Sequence, residues 1–225
     1  MKNLLHSKFN MYVFSITFAL IFLVVVLAFV GIATAVDDYA EAERGYRGLR
    51  RYSPSDPHLF SVNSDYAGWI YIEGTRISYP VVQADNTTYI NTTFWGTHHN
   101  TGTLFIDSRN PLQFHGTFAM IHGYNSRTGT MFGTLDLYSS SEFMETHRDI
   151  TIYTDDGEEL TYSIFAAFAT TVNSQLYTMF DADSNFIVEY FTANGAPAGS
   201  THFLVLSTGT ASDSDDDRTV VFAAR

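Results

Sequence analysis

An uncharged run of 28 residues, Phe9 to Val36, sets the first limit on how this chain can fold. About 20 apolar residues span a bilayer, so the run is long enough to cross one with some tilt. Lys2 and Lys8 precede the run, and four acidic residues follow it closely. The positive-inside rule therefore predicts a cytoplasmic tail over residues 1–8, a transmembrane signal anchor over residues 9–36, and all later residues outside the cell.

A cleaved signal peptide is the alternative, because Ala33-Thr34-Ala35 resembles a cleavage site. The apolar core of a secretory signal is typically about 7–15 residues, far shorter than this run, so we expect an uncleaved anchor. Residues 37–60 are polar, and Pro54 and Pro57 are expected to end the solvated helix that begins there. This segment is predicted as an extracytoplasmic helix and linker that leads to one domain over residues 61–225.

The charge balance beyond the run limits the partners of that domain. The residues after the run include ten Arg and 24 acidic residues, which gives them a formal charge of −14. Such a surface repels phosphates, so neither nucleic acid nor an anionic membrane surface is expected to bind the domain. The chain contains no cysteine, which excludes disulfides, thiolate metal sites and a thiol nucleophile.

Short runs rich in β-branched and aromatic residues, separated by turn residues, fill most of the domain. Asp155-Asp156-Gly157 is a strong hairpin turn between two of them. About eight short strands of this kind predict a closed barrel or a sandwich. The candidate strands are Trp69–Ile72, Ile77–Val82, Gly102–Asp107, Thr117–His122, Asp149–Tyr153, Glu159–Phe168, His202–Ser207 and Thr219–Phe222. The segments Met131–Tyr138 and Ser141–His147 are expected as short helices or loops, and Asp183–Asn194 as a helix.

The last two strands carry a recognisable motif. Leu206-Ser207-Thr208-Gly209 ends one strand, an acidic loop follows, and Arg218 opens the next strand. This resembles the active-site hairpin of sortases, the cysteine transpeptidases that attach proteins to Gram-positive cell walls. In that family a Leu-x-Thr-Cys motif ends the first strand. Gly209 therefore stands at the family's cysteine position, and Arg218 matches the family's arginine.

The order of motifs resembles class B sortases over about residues 64–225. The matching segments are Asp65–Thr75, Ile77–Gln83, Tyr89–Gly96, Gly102–Asp107 and Ile121–Leu135, with a helix before the penultimate strand. The resemblance implies a mainly β fold, an eight-stranded sortase-type β-barrel with short helices, preceded by one N-terminal transmembrane helix. It also implies attachment to the cell membrane, with the C-terminal domain extracellular. The implied partner is a sorting-signal peptide of surface or pilus proteins, of an Asn-Pro-x-Thr type.

The segment that resembles the catalytic histidine region departs from the family. A Tyr-Gly-His-Asn-like motif is replaced by His122-Gly123-Tyr124-Asn125, which puts Tyr124 at the histidine position. Glycine cannot form a thioester, and a tyrosine with an unperturbed pKa of about 10 is a poor general acid or base near pH 7. The first hypothesis is therefore a pseudo-sortase that binds peptides or assembly partners. An engineered inactive enzyme is the alternative, but inactivating changes usually touch the cysteine alone, whereas Tyr124 differs as well.

The second hypothesis is a transpeptidase with an atypical nucleophile. His122 and Ser207 each lie two residues before a family position, so each stays on the same strand face, about 7 Å away. If the two strands run side by side in parallel, as in sortases, both residues lie at the same distance along their strands from the family positions. A Ser207–His122 dyad can then form. Thr208 is the other candidate nucleophile. A serine usually needs a third, orienting group as well, and the sequence identifies none.

Two sets of side chains are candidate metal ligands. Carboxylates suit Ca²⁺, but the acidic loop lacks the EF-hand pattern, so a solvated loop is the simpler interpretation. The histidine spacing is not diagnostic of a metal site. No other cofactor is expected. The candidate Ca²⁺ ligands are Asp213, Asp215, Asp216 and Asp217, and the histidines are His98, His99 and His115.

Overall fold

The computed structural model describes residues 2–210 and 214–225, and its account of side chains excludes residues 2–12, 33–39 and 41. The chain divides into two compact units, residues 1–45 and residues 46–225. The apolar run lies in helix α1 (Lys2–Leu49). Its segment Val13–Ile32, with mean hydropathy 3.0, is long and apolar enough to cross a membrane, a criterion that a membrane anchor and a signal sequence both meet.

Eight strands form a closed barrel, which confirms the predicted architecture. Around the barrel the order is β1-β2-β3-β4-β7-β8-β6-β5. The pairs β2–β3 and β4–β7 are parallel, and the other neighbours are antiparallel. Closure leaves no free edge for pairing with another chain. The strands are β1 (Tyr66–Ile72), β2 (Ser78–Val82), β3 (Leu104–Ile106), β4 (Phe118–Gly123), β5 (Asp149–Thr154), β6 (Glu159–Thr171), β7 (Phe203–Gly209) and β8 (Asp217–Ala224).

The helices that follow α1 are short. The expectation that Pro54 and Pro57 end the polar helix is wrong, because α1 already ends at Leu49 and Pro57 begins a new helix. Proline suits the first turn of a helix, and Asp56 caps this one by accepting from the His58 N–H. The helices are α2 (Pro57–Val62), α3 (Ser141–Thr146) and α4 (Ser184–Ala193), with 3₁₀ helices at Thr88–Ile90, Leu135–Ser139 and Gln175–Asp181.

Strands β4, β7 and β8 are buried on both faces, which explains their nearly continuous apolar sequences. One row of their side chains, including Ile121 and Leu206, faces the barrel core. The alternate row, including Met120 and Val205, packs against a second core formed with α4 and the 3₁₀ helix Gln175–Asp181. This outer layer ends before the strands do, so the last residues of β4 and β7 remain available to form a site.

The last turn of α1 is fixed in the barrel unit by Tyr46, whose side chain is fully buried. Its hydroxyl donates to the Gly102 carbonyl at 2.7 Å and lies 3.2 Å from the Thr103 hydroxyl. We expect Tyr46→Phe to lower the free energy of unfolding by about 1–3 kcal/mol, since it leaves a buried carbonyl without its partner. Urea denaturation of the full chain in detergent measures the loss. The control Tyr71→Phe, at an exposed tyrosine, is expected to change it by less than about 0.5 kcal/mol.

Candidate active site

The parallel pairing of β4 with β7 brings the predicted site residues together. His122 pairs with Ser207 and Gly123 with Thr208, so the register is the one that a shifted dyad requires. Side chains alternate along each strand, so every second residue faces the outer layer. These outward positions run through Phe118, Met120, His122 and Tyr124 along β4 and just beyond it, and through Phe203, Val205, Ser207 and Gly209 along β7.

A groove of about 1210 Å³ opens where the outer layer stops. The candidate residues line it at two positions along the strands. We call His122 and Ser207 the inner level, and Tyr124, Gly209 and Arg218 the outer level. Apolar, aromatic and charged side chains share its walls. They include Tyr89, Ile90, Phe105, Asp107, Arg109, Arg127, Asp136, Val172, Tyr177, Asp215 and Asp217.

The outer level of the groove holds Tyr124, Gly209 and Arg218, the three residues that the sequence motifs predict at the family's site positions. Gly209 pairs with Arg218 across β7 and β8. The Arg218 Nη1 donates to the carbonyl oxygens of Asp215 and Asp217, at 2.6 and 2.8 Å. Tyr124 is 40% exposed. Among the residues that the structure describes, and leaving aside the two chain neighbours, a Cβ added at Gly209 would meet no atom within 4 Å, so there is space for a side chain at this position.

The Asn125 side chain connects the ends of the strands at the outer level through hydrogen bonds. The Asn125 Nδ2 donates to the Gly209 carbonyl at 2.8 Å and to the Asp136 Oδ2 at 3.1 Å. Asp136 also accepts from the Thr219 hydroxyl at 2.7 Å. These hydrogen bonds fix the ends of β4, β7 and β8 relative to one another, although no nucleophile stands between them.

The inner level centres on a histidine held by a buried carboxylate. The His122 Nε2 lies 2.9 Å from the Asp107 Oδ2, and Asp107 is only 1% exposed. Asp107 follows β3 directly and also accepts from the Arg109 Nε and Nη2, both at 2.8 Å, and from Asn86. Because the ionised carboxylate accepts, it fixes the proton on Nε2 and leaves Nδ1 as the basic nitrogen of the neutral ring.

Electrostatics keep Asp107 ionised. Burial by itself raises the pKa of this carboxyl. Hydrogen bonds from the Arg109 guanidinium, His122, Asn86 and the Arg109 backbone N–H together outweigh burial and hold the pKa well below its usual range. The groove therefore contains a permanently charged orienting group for His122, the group that the sequence did not identify.

Ser207 lies beside His122 but has a different partner. Its hydroxyl is 2.7 Å from that of Tyr177, and Ser207 is 1% exposed. Among the described residues neither ring nitrogen of His122 bonds Ser207, so the predicted dyad is assembled in register but not connected. Thr208, the other candidate nucleophile, is buried and donates to the Gly123 carbonyl at 2.8 Å, which is a structural role.

Comparison with known families identifies the fold. The sequence profile of the sortase domain matches residues 70–225, more than half of the chain. The chain belongs to the sortase family. For this sortase-family chain, the motifs predict that Gly209 and Tyr124 occupy the family's cysteine and histidine positions.

Its relatives are class B sortases. It is 31% identical over 135 residues to sortase B of Staphylococcus aureus, a match that covers 59% of this chain and 55% of the relative. The chain spans about half the length of the curated relatives it matches. Two solved structures share the fold. The S. aureus sortase B–substrate complex has a TM-score of 0.73 at 25% identity, covering 83% of this chain and 97% of that one. A Streptococcus pyogenes class B sortase involved in pilus biogenesis has a TM-score of 0.62 at 26% identity, covering 75% and 96%.

Sequence reasoning missed two residues of this sortase site. Asp107 closes the predicted strand Gly102–Asp107, and a charged residue at a strand end is a weak signal for an orienting group. Tyr177 lies in the 3₁₀ helix Gln175–Asp181, 30 residues before Ser207, and no pattern in the sequence links them. Both contacts depend on the barrel order.

The metal predictions remain untested. The described residues contain no group of three His, Cys, Asp or Glu side chains that could hold a metal ion. Asp213 lies outside the described residues. Of the other predicted Ca²⁺ ligands, Asp215 and Asp217 use their backbone carbonyls to accept from Arg218.

Proposed function

We propose that this sortase-family chain binds sorting-signal peptides in its groove and does not cleave them by the cysteine route. The observation that carries the proposal is the open space at Gly209. Although the nucleophile is absent, no atom of the described residues outside the adjacent chain positions lies within 4 Å of the point where its side chain would begin. This space leaves room for an extended peptide along the part of the groove that Tyr124 and Arg218 line.

The lining of the groove suits an extended peptide. Binding sites commonly combine apolar and aromatic walls with a few placed polar groups. Here Ile90, Phe105 and Val172 supply apolar surface, and the Arg218 guanidinium can donate to a peptide carbonyl. The S. aureus relative was solved with a substrate, and the S. pyogenes relative takes part in pilus biogenesis. These properties of the relatives support a peptide of a surface or pilus protein as the ligand.

The apolar N-terminal helix and the sortase family support a place of action at the membrane. We assign segment Val13–Ile32 as a single-pass membrane anchor, with the barrel unit on the outer side. The acidic balance of the chain beyond the anchor suits a domain exposed to solvent. In this position the chain would hold a surface protein or pilin near an active transpeptidase as a scaffold, or compete with that enzyme for the peptide.

Titration with peptides tests the proposal on the full chain in detergent. A panel of labelled sorting-signal peptides, including the Asn-Pro-x-Thr type, is titrated against the protein with an amine acceptor present, in Ca²⁺ and in chelator. We expect saturable binding without cleavage by mass spectrometry. A difference between the Ca²⁺ and chelator arms would support the predicted role of the acidic loop at Asp215 to Asp217.

A groove-filling variant provides the decisive comparison. Gly209→Phe is expected to weaken peptide binding by about tenfold or more, since its phenyl group would occupy the open space that a bound peptide needs, and a tenfold loss corresponds to about 1.4 kcal/mol. The matched control is Gly48→Phe, at an exposed position where an added Cβ also meets nothing within 4 Å. Equal binding by both variants would overturn the proposal, because the groove would then not be the binding site. Cleavage by the unmodified chain that Ser207→Ala abolishes would contradict the expectation of binding without cleavage.

A further inference from the structure

Three neighbouring strands bring together a set of side chains that peptide binding does not use. Asp107 follows β3, His122 lies on β4, and Ser207 lies on β7. The barrel order β3-β4-β7 puts His122 between the other two. A carboxylate, an imidazole and a hydroxyl in this order are the components of a serine acyl-transfer centre, which is recognised by geometry and not by sequence position.

The first two components are already connected. His122 Nε2 lies 2.9 Å from the Asp107 carboxylate, and the ring is held against Phe105, with 5.2 Å between ring centroids. Within the part of the chain that the structure describes, His122 Nδ1 has no hydrogen-bond partner. The ring is 21% exposed to the groove. An oriented imidazole with a free basic nitrogen is able to accept a proton.

The third component is held by a tyrosine. The Tyr177 hydroxyl lies 2.7 Å from the Ser207 Oγ, and burial raises the pKa of Tyr177, which keeps its proton available to the serine oxygen. Two contacts fix Tyr177 in this place. Its carbonyl accepts from the Arg109 Nη1 at 3.0 Å, and the Arg109 guanidinium also lies 3.8 Å from the ring centroid of Phe180. Both contacts fasten the 3₁₀ helix Gln175–Asp181 over the groove floor.

We infer that Ser207, His122 and Asp107 form a second acyl-transfer centre of the fold, for ester or thioester substrates, and that Tyr177 blocks it. Ser207 would be the nucleophile, His122 the base and Asp107 the positioning residue. The inference goes beyond peptide binding and does not depend on it. Because residues in register on adjacent strands lie about 5 Å apart, rotation about the first side-chain torsion of Ser207 is enough to turn its Oγ from Tyr177 toward β4.

The chemistry needs no further reactant than water. The Ser207 Oγ attacks the acyl carbon and forms a new C–O bond, while its proton passes to the His122 Nδ1. The C–O or C–S bond to the leaving group breaks, and His122 returns the proton to the departing alcohol or thiol. Water then attacks the acyl-serine by the same path and releases the acid. Arg218, one level further along β8, is able to hold the developing oxyanion of a bound acyl group.

Labelling with a fluorophosphonate probe tests the inference on the full chain in detergent. The serine oxygen forms a bond to phosphorus and fluoride leaves, so the probe reports an activated serine directly. Tyr177→Phe keeps the ring but removes the hydroxyl that holds Ser207. We expect it to raise the labelling rate by about 10²-fold, the lower range of what a positioned general base contributes. Mass spectrometry should place the adduct on Ser207, and the same variant should hydrolyse p-nitrophenyl acetate.

Additional variants separate catalysis from structure. In the Tyr177→Phe background, Ser207→Ala and His122→Gln should each abolish the gain; glutamine can still donate to Asp107 but cannot act as the base. Tyr177→Ala, which also opens access, should give at least the same gain. Tyr190→Phe, at a tyrosine of the outer layer, is the matched control and should label as slowly as the unmodified chain. The inference is overturned if folded Tyr177→Phe and Tyr177→Ala both label at the unmodified rate, or if labelling persists without Ser207. Peptide binding by the unmodified chain is a separate readout and is unaffected by either result.

Discussion

The double substitution Gly209→Cys with Tyr124→His is expected to convert this chain into a transpeptidase. The added Cβ meets no atom of the non-adjacent described residues within 4 Å, Tyr124 is 40% exposed, and Arg218 already pairs with position 209, so both new side chains enter an existing groove. A thiolate supplies the nucleophile, and a histidine in place of Tyr124 supplies the acid. Cleavage of a sorting-signal peptide with transfer to an amine, followed by mass spectrometry, measures the gain.

The single variants define what the gain depends on. Gly209→Cys alone should react with thiol reagents but turn over about 10²- to 10⁴-fold more slowly than the double variant, the usual contribution of a positioned acid or base. Gly209→Ala with Tyr124→His has the histidine but no thiol and should be inactive. If the double variant folds as the unmodified chain does yet neither binds nor cleaves any peptide of the panel, the groove itself has diverged and the proposed function fails.

Replacement of Asp107 by alanine is expected to cost about 1.5–3 kcal/mol of folding free energy, the typical contribution of hydrogen bonds to a charged group, because Asp107 is buried while its partner Arg109 is 47% exposed and can be solvated. The Asp107 carboxylate accepts five hydrogen bonds, three from Arg109 and one each from Asn86 and His122. Urea denaturation of the full chain in detergent measures the change. Asp149→Ala, at an exposed aspartate at the start of β5, is the control and should change stability by less than about 0.5 kcal/mol. An equally small loss for Asp107→Ala would show that the hydrogen bonds to Asp107 do not stabilise the fold.

The hydrogen bonds to Asp107 also predict how the free energy of unfolding depends on pH. The pKa of Asp107 is lower in the folded chain than the value of about 3.9 expected when unfolded. A carboxyl with a depressed folded pKa stabilises the fold above its unfolded pKa, and this contribution is lost as the pH falls below that value. The unmodified chain should therefore lose stability more steeply below about pH 4 than Asp107→Ala does. Parallel curves for the two proteins would exclude Asp107 as the cause.

Much of the fold could be predicted from the sequence, because the sequence patterns that indicate strands and turns are local. The two-residue alternation of strands and the Asp155-Asp156-Gly157 turn depend on residues that are close in the chain, and all eight predicted strands occur. The family motif gave the positions of Gly209, Tyr124 and Arg218 directly. The position of Pro57 was misjudged because a proline that ends one helix and a proline that begins another look alike until the capping contact of Asp56 is seen.

The loss of the cysteine route was determined by the sequence alone, since a chain without a thiol cannot gain one by folding. The alternation of strand side chains likewise puts His122 on the same face as Tyr124, and Ser207 on the same face as Gly209, through their two-residue spacing in the sequence. What stands next to them was decided only by the tertiary structure. Asp107 and Tyr177 lie 15 and 30 residues away from their partners, and they meet them because β7 inserts between β4 and β8 and the 3₁₀ helix Gln175–Asp181 folds over that junction. Contacts of this kind depend on how distant segments pack, and no local pattern in the sequence encodes them.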